Sequence, residues 1–456
     1  MHFENDVHFK ACLRFSVAMR LAMRRPILAG VMLTGIISLP LFDAVAFAAD
    51  YPPSTRDAEE VDPALASVRS RPREDYRPIG VPVGSFIFYP ELRTSLSYDS
   101  NITASGSDPK SDWIFVVKPI AQLQSDWLRH YLAFDAFYES GNYFKYSDGD
   151  YQNYSFGTQG RLDISRDTYV SGYARYLHGH ELPGDGETDT DIALPLPFDR
   201  TTAGVKFDNR FNRMWTVAAF DFQDTEYADT LDGAPTFQDY RDGQTYTAWG
   251  RIGYDISPLT SVFVGASYAW GEFDDTDFNG KQYTVTTGLK FEPSRLMRGE
   301  AFVGYKSWTS DSGDLDDVSG VTYGVNLAWF VTPLVTMTFT GNQTVDSSNY
   351  TPGPPYDDTL IGSSVLTSNA GVRVDYEFRR NILLGSWFAY QNQDYGDYPR
   401  DDDKYTYGAS LTYLINRYWT AGLQYTYTDF SSNFNGINGV EDYTRNVVMG
   451  NLKLAY

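Results

Sequence analysis

Cysteine is almost missing from this chain: its 456 residues hold one, Cys12. Disulfide staples and thiol catalysis are therefore excluded for everything beyond that position. Basic residues are also few, 37 Lys and Arg against 59 Asp and Glu, for a net charge of −22. So acidic a chain lacks the clustered cations that phosphate contact needs, which argues against a nucleic-acid partner. Long apolar runs are confined to residues 27–41, so no later segment can cross a membrane as a helix. Helix formers such as Leu, Ala, Glu and Lys dominate no long window either. Aromatic residues are abundant instead, with 35 Tyr and 29 Phe, and they suit the pleated surface of β-strands.

Arg20, Arg24 and Arg25 precede the apolar run, and Ala46-Phe47-Ala48 supplies small residues ahead of Ala49. This is the pattern of a cleaved secretory signal over residues 1–48. The alternative, a helix anchoring the N-terminus, fits less well because the run is short for a span and ends in a processing pattern. The long stretch before Arg20 leaves Met19 and Met23 as alternative starts. Five basic and three acidic residues lie within 1–48, so cleavage would take the net charge from −22 to −24 and remove Cys12. Residues 49–84 are rich in Pro, Arg and acidic groups without periodicity, and are expected to form a periplasmic extension without fixed structure.

From Ser85 onward, segments of about ten residues alternate apolar and polar with period two. Phe86, Phe88, Leu92, Thr94, Leu96 and Tyr98 share one parity, against Glu91, Arg93, Ser95, Ser97 and Asp99 on the other. Tyr154, Phe156, Leu162 and Ile164 oppose Asn153, Ser155, Gln159, Arg161 and Asp163 in the same way. Further on, Tyr283, Val285, Leu289 and Phe291 oppose Thr284, Thr286, Lys290 and Glu292. Such segments recur near 85, 113, 130, 153, 168, 201, 214, 244, 261, 283, 297, 321, 335, 367, 382, 404, 418 and 444. The expectation is an all-β transmembrane antiparallel up-and-down β-barrel of about 18 strands, in the range 16–18, over residues 85–456.

The connections alternate too. Short ones carry Arg, Pro or Asn, as in Ser165-Arg166-Asp167, Ser257-Pro258-Leu259, Thr332-Pro333-Leu334 and Arg379-Arg380-Asn381. Long acidic ones lie between them, at 179–200, 224–243, 310–320, 345–366 and 394–403. Short periplasmic turns alternating with long extracellular loops are the rule for outer-membrane barrels. Val448, Leu452, Leu454 and the terminal Tyr456 share a parity, resembling the C-terminal signal read by barrel assembly machinery. A span built of strands must close, because lipid offers no partner to an open edge. Outer-membrane lipid, lipopolysaccharide and the assembly machinery are thus the expected partners.

The inward parity carries Arg93, Asp135, Arg161, Asp163, Arg175, Asp221, Arg251, Lys290, Glu292, Glu300, Lys306, Arg373 and Asp375. These are candidate lumen-lining charges that select and orient solutes in a pore. The same charges would equally serve as salt bridges that solvate and stiffen the wall. Clustered loop acids, as at Asp274-Asp275-Thr276-Asp277, 311–317 and Asp401-Asp402-Asp403, suit divalent cations bridging to lipopolysaccharide, but lack the spacing of a dedicated calcium loop. Solvated acidic loops are the plainer reading, and the metal question stays open. After the signal only His130, His178 and His180 remain, and no nucleophile motif accompanies them, so no enzymatic activity and no cofactor is expected.

A more specific resemblance lies in Arg71-Pro72-Arg73-Glu74-Asp75-Tyr76-Arg77-Pro78-Ile79-Gly80, in Gly84-Ser85-Phe86 with Pro90, and in Tyr98-Asp99-Ser100-Asn101. These residues resemble the opening of the putative β-barrel porin family, type 2, common in alphaproteobacteria. The resemblance implies an outer-membrane barrel, in a family some of whose members are associated with exopolysaccharide or capsule synthesis. It brings no catalytic residues. The functional expectation is a porin-like channel for passive solute passage or polysaccharide export. The alternative is a structural barrel whose acidic loops bind lipopolysaccharide, divalent cations or glycan.

Overall fold

A strand with one apolar and one polar face must find lipid for the first and water for the second, and it must leave no backbone group unpaired in between. The computed structural model describes residues 67–184, 194–228, 241–294, 296–311, 317–347, 364–395, 400–435 and 440–456, with 230–231 and 234–235. The expected signal at 1–48 lies outside the described residues. Among the described residues no helix is long and apolar enough to cross a membrane.

Eighteen long strands satisfy the constraint together. They are β1 (Phe86–Asp99), β2 (Asp112–Ser125), β3 (Tyr131–Tyr143), β4 (Tyr151–Asp163), β5 (Thr168–Glu181) and β6 (Leu196–Phe211). Next come β7 (Met214–Tyr227), β8 (Gly243–Ser257), β9 (Thr260–Phe273), β10 (Gly280–Ser294), β11 (Met297–Ser310) and β12 (Val318–Thr332). The last are β13 (Val335–Ser347), β14 (Ser364–Arg379), β15 (Ile382–Asp394), β16 (Asp401–Leu414), β17 (Trp419–Ser432) and β18 (Tyr443–Ala455). Each lies against the next, and β1 pairs antiparallel with β18 from Glu91↔Ala455 to Asp99↔Val447, which closes the barrel. At about 3.3 Å per residue, strands of this length overshoot the apolar band of about 25 Å even when tilted.

The turns at the end shared by the start of β1 and by Tyr456 are tight. Register shifts sit beside four of them, at Asp255/Ser257, Phe291/Ser294, Phe330/Thr332 and Glu377/Arg379. A bulge beside a short turn adds the local twist a tight connection demands. The opposite end carries the long connections. Strands reach further into them than alternation alone suggests: β5 runs to Glu181 and β6 starts at Leu196, within the stretch read as loop 179–200.

Residues 67–84 differ from the expectation of an unstructured extension. They hold a short 3-10 turn at Glu74–Tyr76 and a strand at Val81–Val83 that pairs with Phe86–Phe88 of β1. The reason is the seam. β18 ends before it reaches the lower part of β1, which would leave that edge bare, and Val81–Val83 covers it. Gly84, at φ +62, makes the turn, and the Gly80 N–H donates to the Tyr456 carbonyl at 3.1 Å.

Outward faces are apolar in the middle and aromatic at both rims. Tyr98 meets Trp113, Tyr246 stacks on Trp270, and Tyr268 meets Tyr283 toward the long loops. Phe86 meets Trp127, and Tyr418 stacks on Tyr456 at the other end. Tyr and Trp favour the membrane–water boundary because their rings are apolar and their tips polar. Val285 stands on the outer face and its chain neighbour Thr286 on the inner. Val285→Arg should cost on the order of 2–4 kcal/mol of folding stability if it lies near the midplane, and Thr286→Arg little. Folding titrations into liposomes check this, and equal tolerance at the two positions would contradict the assigned faces.

Candidate functional site

The inner wall is a mosaic of charges joined in pairs. Because residues i and i+2 share a face, one strand can supply both partners: Arg161–Asp163 at 2.9 Å and Arg373–Asp375 at 3.0 Å. Arg93 meets Glu91 likewise, and Lys453 approaches the same carboxylate at 3.0 Å. Other pairs cross between strands. Arg251 of β8 reaches Glu300 of β11 at 2.8 Å, which Lys290 of β10 also approaches at 3.6 Å. Arg175 of β5 reaches Asp135 of β3 at 2.8 Å, and Tyr173 of β5 donates its hydroxyl to Asp221 of β7 at 2.7 Å. Lys306 is buried and donates to Thr344 at 3.1 Å. These charges lie on one face of their strands and most are matched by a charge of opposite sign.

Two of the crossings depend on glycine. In register, Asp135, Gly157 and Arg175 lie side by side on β3, β4 and β5. A Cβ at Gly157 would stand 2.7 Å from the Arg175 Nη2 and 2.8 Å from the Asp135 Oδ1. Gly204 plays the same part between Tyr173 and Asp221, where a Cβ would come within 2.1 Å of the carboxylate. Each glycine is a saddle over which a long side chain reaches the second strand along. Alternation cannot reveal this, but an inward glycine flanked in register by complementary polar residues is a usable signal.

A strap crosses the mouth at the short-turn end. Residues 67–79 leave the β1–β18 seam and reach β13 and β14. There the Val68 N–H donates to the Thr336 hydroxyl at 3.0 Å. Arg71 and Arg73 both meet Glu377, at 3.3 and 2.9 Å, and Arg71 also donates to the Pro333 carbonyl at 2.7 Å. Val68 and Thr336 are each 1% exposed, so this contact is packed as a core is.

Residues 182–184, just after β5, lie against other strands at the opposite end. The Gly184 carbonyl accepts from Lys404 of β16 at 3.3 Å and from the Tyr443 hydroxyl of β18 at 3.4 Å. Its φ is +77, and a Cβ there would sit 2.6 Å from Ala104. Val365, Tyr395, Phe434 and Val440 form a small apolar cluster at the long-loop ends of the last strands. The Asp99 carboxylate holds Arg445 across the seam at 2.6 Å, and the Asn101 side chain ties the Ser105 and Thr444 carbonyls at 2.8 and 3.2 Å. Glu441 completes this end by accepting from the Ser105 hydroxyl at 2.6 Å and from the Gly106 and Ser107 N–H groups at 2.7 and 3.0 Å.

The histidines go to separate places. His130, at φ +65 in a short turn, exchanges hydrogen bonds with Asp163, accepting at Nδ1 and donating from its backbone N–H. His178 stands on the outer face, with Nδ1 2.8 Å from Asp199 and its ring stacked on Tyr154. His180 lies beyond the last β4–β5 pair and meets Asn153 at 2.8 Å and the Tyr151 ring. Among the described residues no three His, Cys, Asp or Glu side chains gather at metal-ligating distance. The Asp401-Asp402-Asp403 cluster has local partners: Asn392, Arg400 and the Tyr390 hydroxyl.

A family model described as "Putative beta-barrel porin 2" matches residues 73–456. The chain belongs to that family. The match takes in the strap from Arg73, the seam cover and all eighteen strands, so this is a porin-like barrel of the outer membrane. No curated protein matches the sequence. Solved structures similar to this one include OpdL of Pseudomonas aeruginosa, 13% identical, covering 82% of this chain and 99% of that one, with a TM-score of 0.45. A variant of the ferric enterobactin receptor PfeA from Pseudomonas aeruginosa is 8% identical, covers 80% of each chain and has a TM-score of 0.45. The siderophore receptor PirA from the same organism is 10% identical, again with 80% of each chain covered and a TM-score of 0.43.

In this porin-like wall, Gly157→Val should push Arg175 off Asp135 and cost on the order of 1–3 kcal/mol, the penalty of an unpartnered buried polar group. Gly450→Ala, where a Cβ meets nothing within 4 Å, is the neutral control in urea unfolding. The Glu441 clasp yields a pH prediction. The Ser105 and Ser107 side chains, with the backbone N–H groups of Ser107 and Gly106, hold its pKa down at about 2. A carboxylate with a depressed folded pKa stabilises fully above its ordinary value and loses that contribution as pH falls through the folded one. Pepsin cleavage within residues 101–108, taken relative to cleavage of an unstructured reference peptide at each pH, should therefore rise as pH drops from ordinary carboxylate values toward about 2. Glu441→Gln should be cut without that dependence.

Proposed function

We propose that this barrel is a passive channel for small polar solutes. The observation that supports it is the lumen wall itself, where charges of both signs are paired and held on one continuous inner face. Such a surface solvates a polar solute without trapping ions of either sign. The strap, held on β13 and β14 at the short-turn end, narrows the path, which favours small solutes over polysaccharide export. The reading includes delivery through a cleaved signal at residues 1–48 and insertion by barrel assembly machinery reading the final strand. It also includes contact of the aromatic rims and acidic loops with lipopolysaccharide, and it assigns no enzymatic role and no cofactor.

Planar-bilayer conductance and liposome swelling with neutral sugars of increasing size test it. The expected result is a small steady conductance and a sharp size limit. Glu377→Gln, which removes the strap's carboxylate, should raise both. A barrel that folds and inserts but passes neither ions nor sugars would leave the structural, surface-binding reading instead.

A further inference from the structure

The inner wall divides into two unlike sectors. Each of β1 to β8 presents at least one charged side chain inward, among them Lys118, Asp135, Arg161 and Asp221. The inward positions of β12, β15 and β17 carry no charge from end to end, and β13 presents only threonine and asparagine from Thr336 to Thr344. The charges that β14 and β16 add to this sector are engaged: Arg373 with Asp375, Glu377 with the strap, Asp402 with Arg400, and Lys404 with the Gly184 carbonyl. In register, Thr338, Arg373, Trp387, Gly408 and Thr426 form one row across β13 to β17. Asn342 and Gln391 lie in the next row toward the long loops. The Thr338, Asn342, Gln391 and Thr406 side chains are part-exposed and make no hydrogen bond to another group among the described residues, so their donors and acceptors are left to the lumen.

Trp387 sits in the middle of this neutral sector. A Cβ at Gly408 would stand 2.0 Å from the Trp387 Cε2 and Cζ2, so the indole lies directly over the backbone of β16 where no side chain intervenes. The Arg373 guanidinium flanks it, 5.1 Å from the ring centre. The ring is part-exposed, and since one side rests on the wall its open side is turned to the lumen. Hydroxyl and carboxamide groups both donate and accept, as sugar hydroxyls do, and giving up their water costs less than stripping a charge. A pyranose also presents a face of C–H groups that packs on an aromatic ring, so a ring set among neutral polar side chains suits it on both counts. Trp215 is seated in the same way over Gly253, but Lys290 stands 4.6 Å from its ring centre and the charged pairs surround it.

We infer that Trp387 and the neutral side chains around it form a binding site for a neutral saccharide on the β13–β17 wall of the lumen. The inference rests on the channel reading and deepens it, since the sugar would be a solute that the channel admits. The test uses the folded full-length barrel in a detergent without a sugar headgroup, read by calorimetric titration beside bilayer conductance. Maltose is one probe, and mannitol, a polyol with hydroxyls but no ring face, is the other. Maltose is expected to bind saturably and mannitol at least several-fold more weakly. Trp387→Leu should weaken maltose about tenfold, the scale of one lost ring contact, and Trp215→Leu should leave it as it is. Trp387→Phe, which keeps a smaller ring, should fall between, and it carries the test should the leucine variant lose the heat-modifiable mobility of a folded barrel. No saturable maltose binding, equal binding of mannitol, or equal effects of Trp387→Leu and Trp215→Leu would overturn the inference. Conductance without maltose binding would remove this site and leave the channel, whereas maltose binding in a barrel that never conducts would do the reverse.

Discussion

Lipid cannot hydrogen-bond a peptide group, and every other feature of this molecule follows from that. Eighteen strands satisfy it along their length, so the difficulty concentrates at the seam where the first strand must find the last. The chain spends several devices there: Val81–Val83 over the bare edge of β1, Gly80 on the terminal carbonyl, and Asp99 on Arg445 at the far end. The aromatic stack of Tyr418 on Tyr456 holds the last residue at the rim.

The inner face answers a different problem. Away from bulk water, charges interact more strongly and cost more when alone, so a wet wall built of ionised groups is stable only when they are matched. Period-two geometry supplies the nearest match along a strand. Reaching further requires that the intervening residue have no side chain, which is why Gly157 and Gly204 lie under the Arg175–Asp135 and Tyr173–Asp221 contacts.

Much of this was legible in the sequence because a barrel writes its two faces and two ends directly into residue order. Alternation at Leu92, Arg93, Leu96 and Ser97 located the faces, and the short and long connections located the ends. The partner of each charge was not legible, since Arg251 finds Glu300 only once the two strands between β8 and β11 have fixed their register. The strap escaped for a related reason. Arg71 and Arg73 look like solvated linker residues until Glu377, 304 residues from Arg73, is brought beneath them. Arg200 reads from sequence as the end of a loop, whereas β6 begins at Leu196 and includes it. The Tyr98-Asp99-Ser100-Asn101 tetrad behind the family resemblance acquires a physical meaning: its acid and amide lock the seam and shape the first loop.

The strap's position in the chain has a consequence for assembly. Residues 67–79 emerge first, but the carboxylate that captures them belongs to β14, and the carbonyl that fixes Gly80 belongs to the final residue. Contacts so distant in sequence are made late, because the intervening chain must be ordered before they repay its lost freedom. The first part of the barrel to be synthesised is therefore among the last to settle, and a chain truncated anywhere before β14 would be left with two arginines and nowhere to put them.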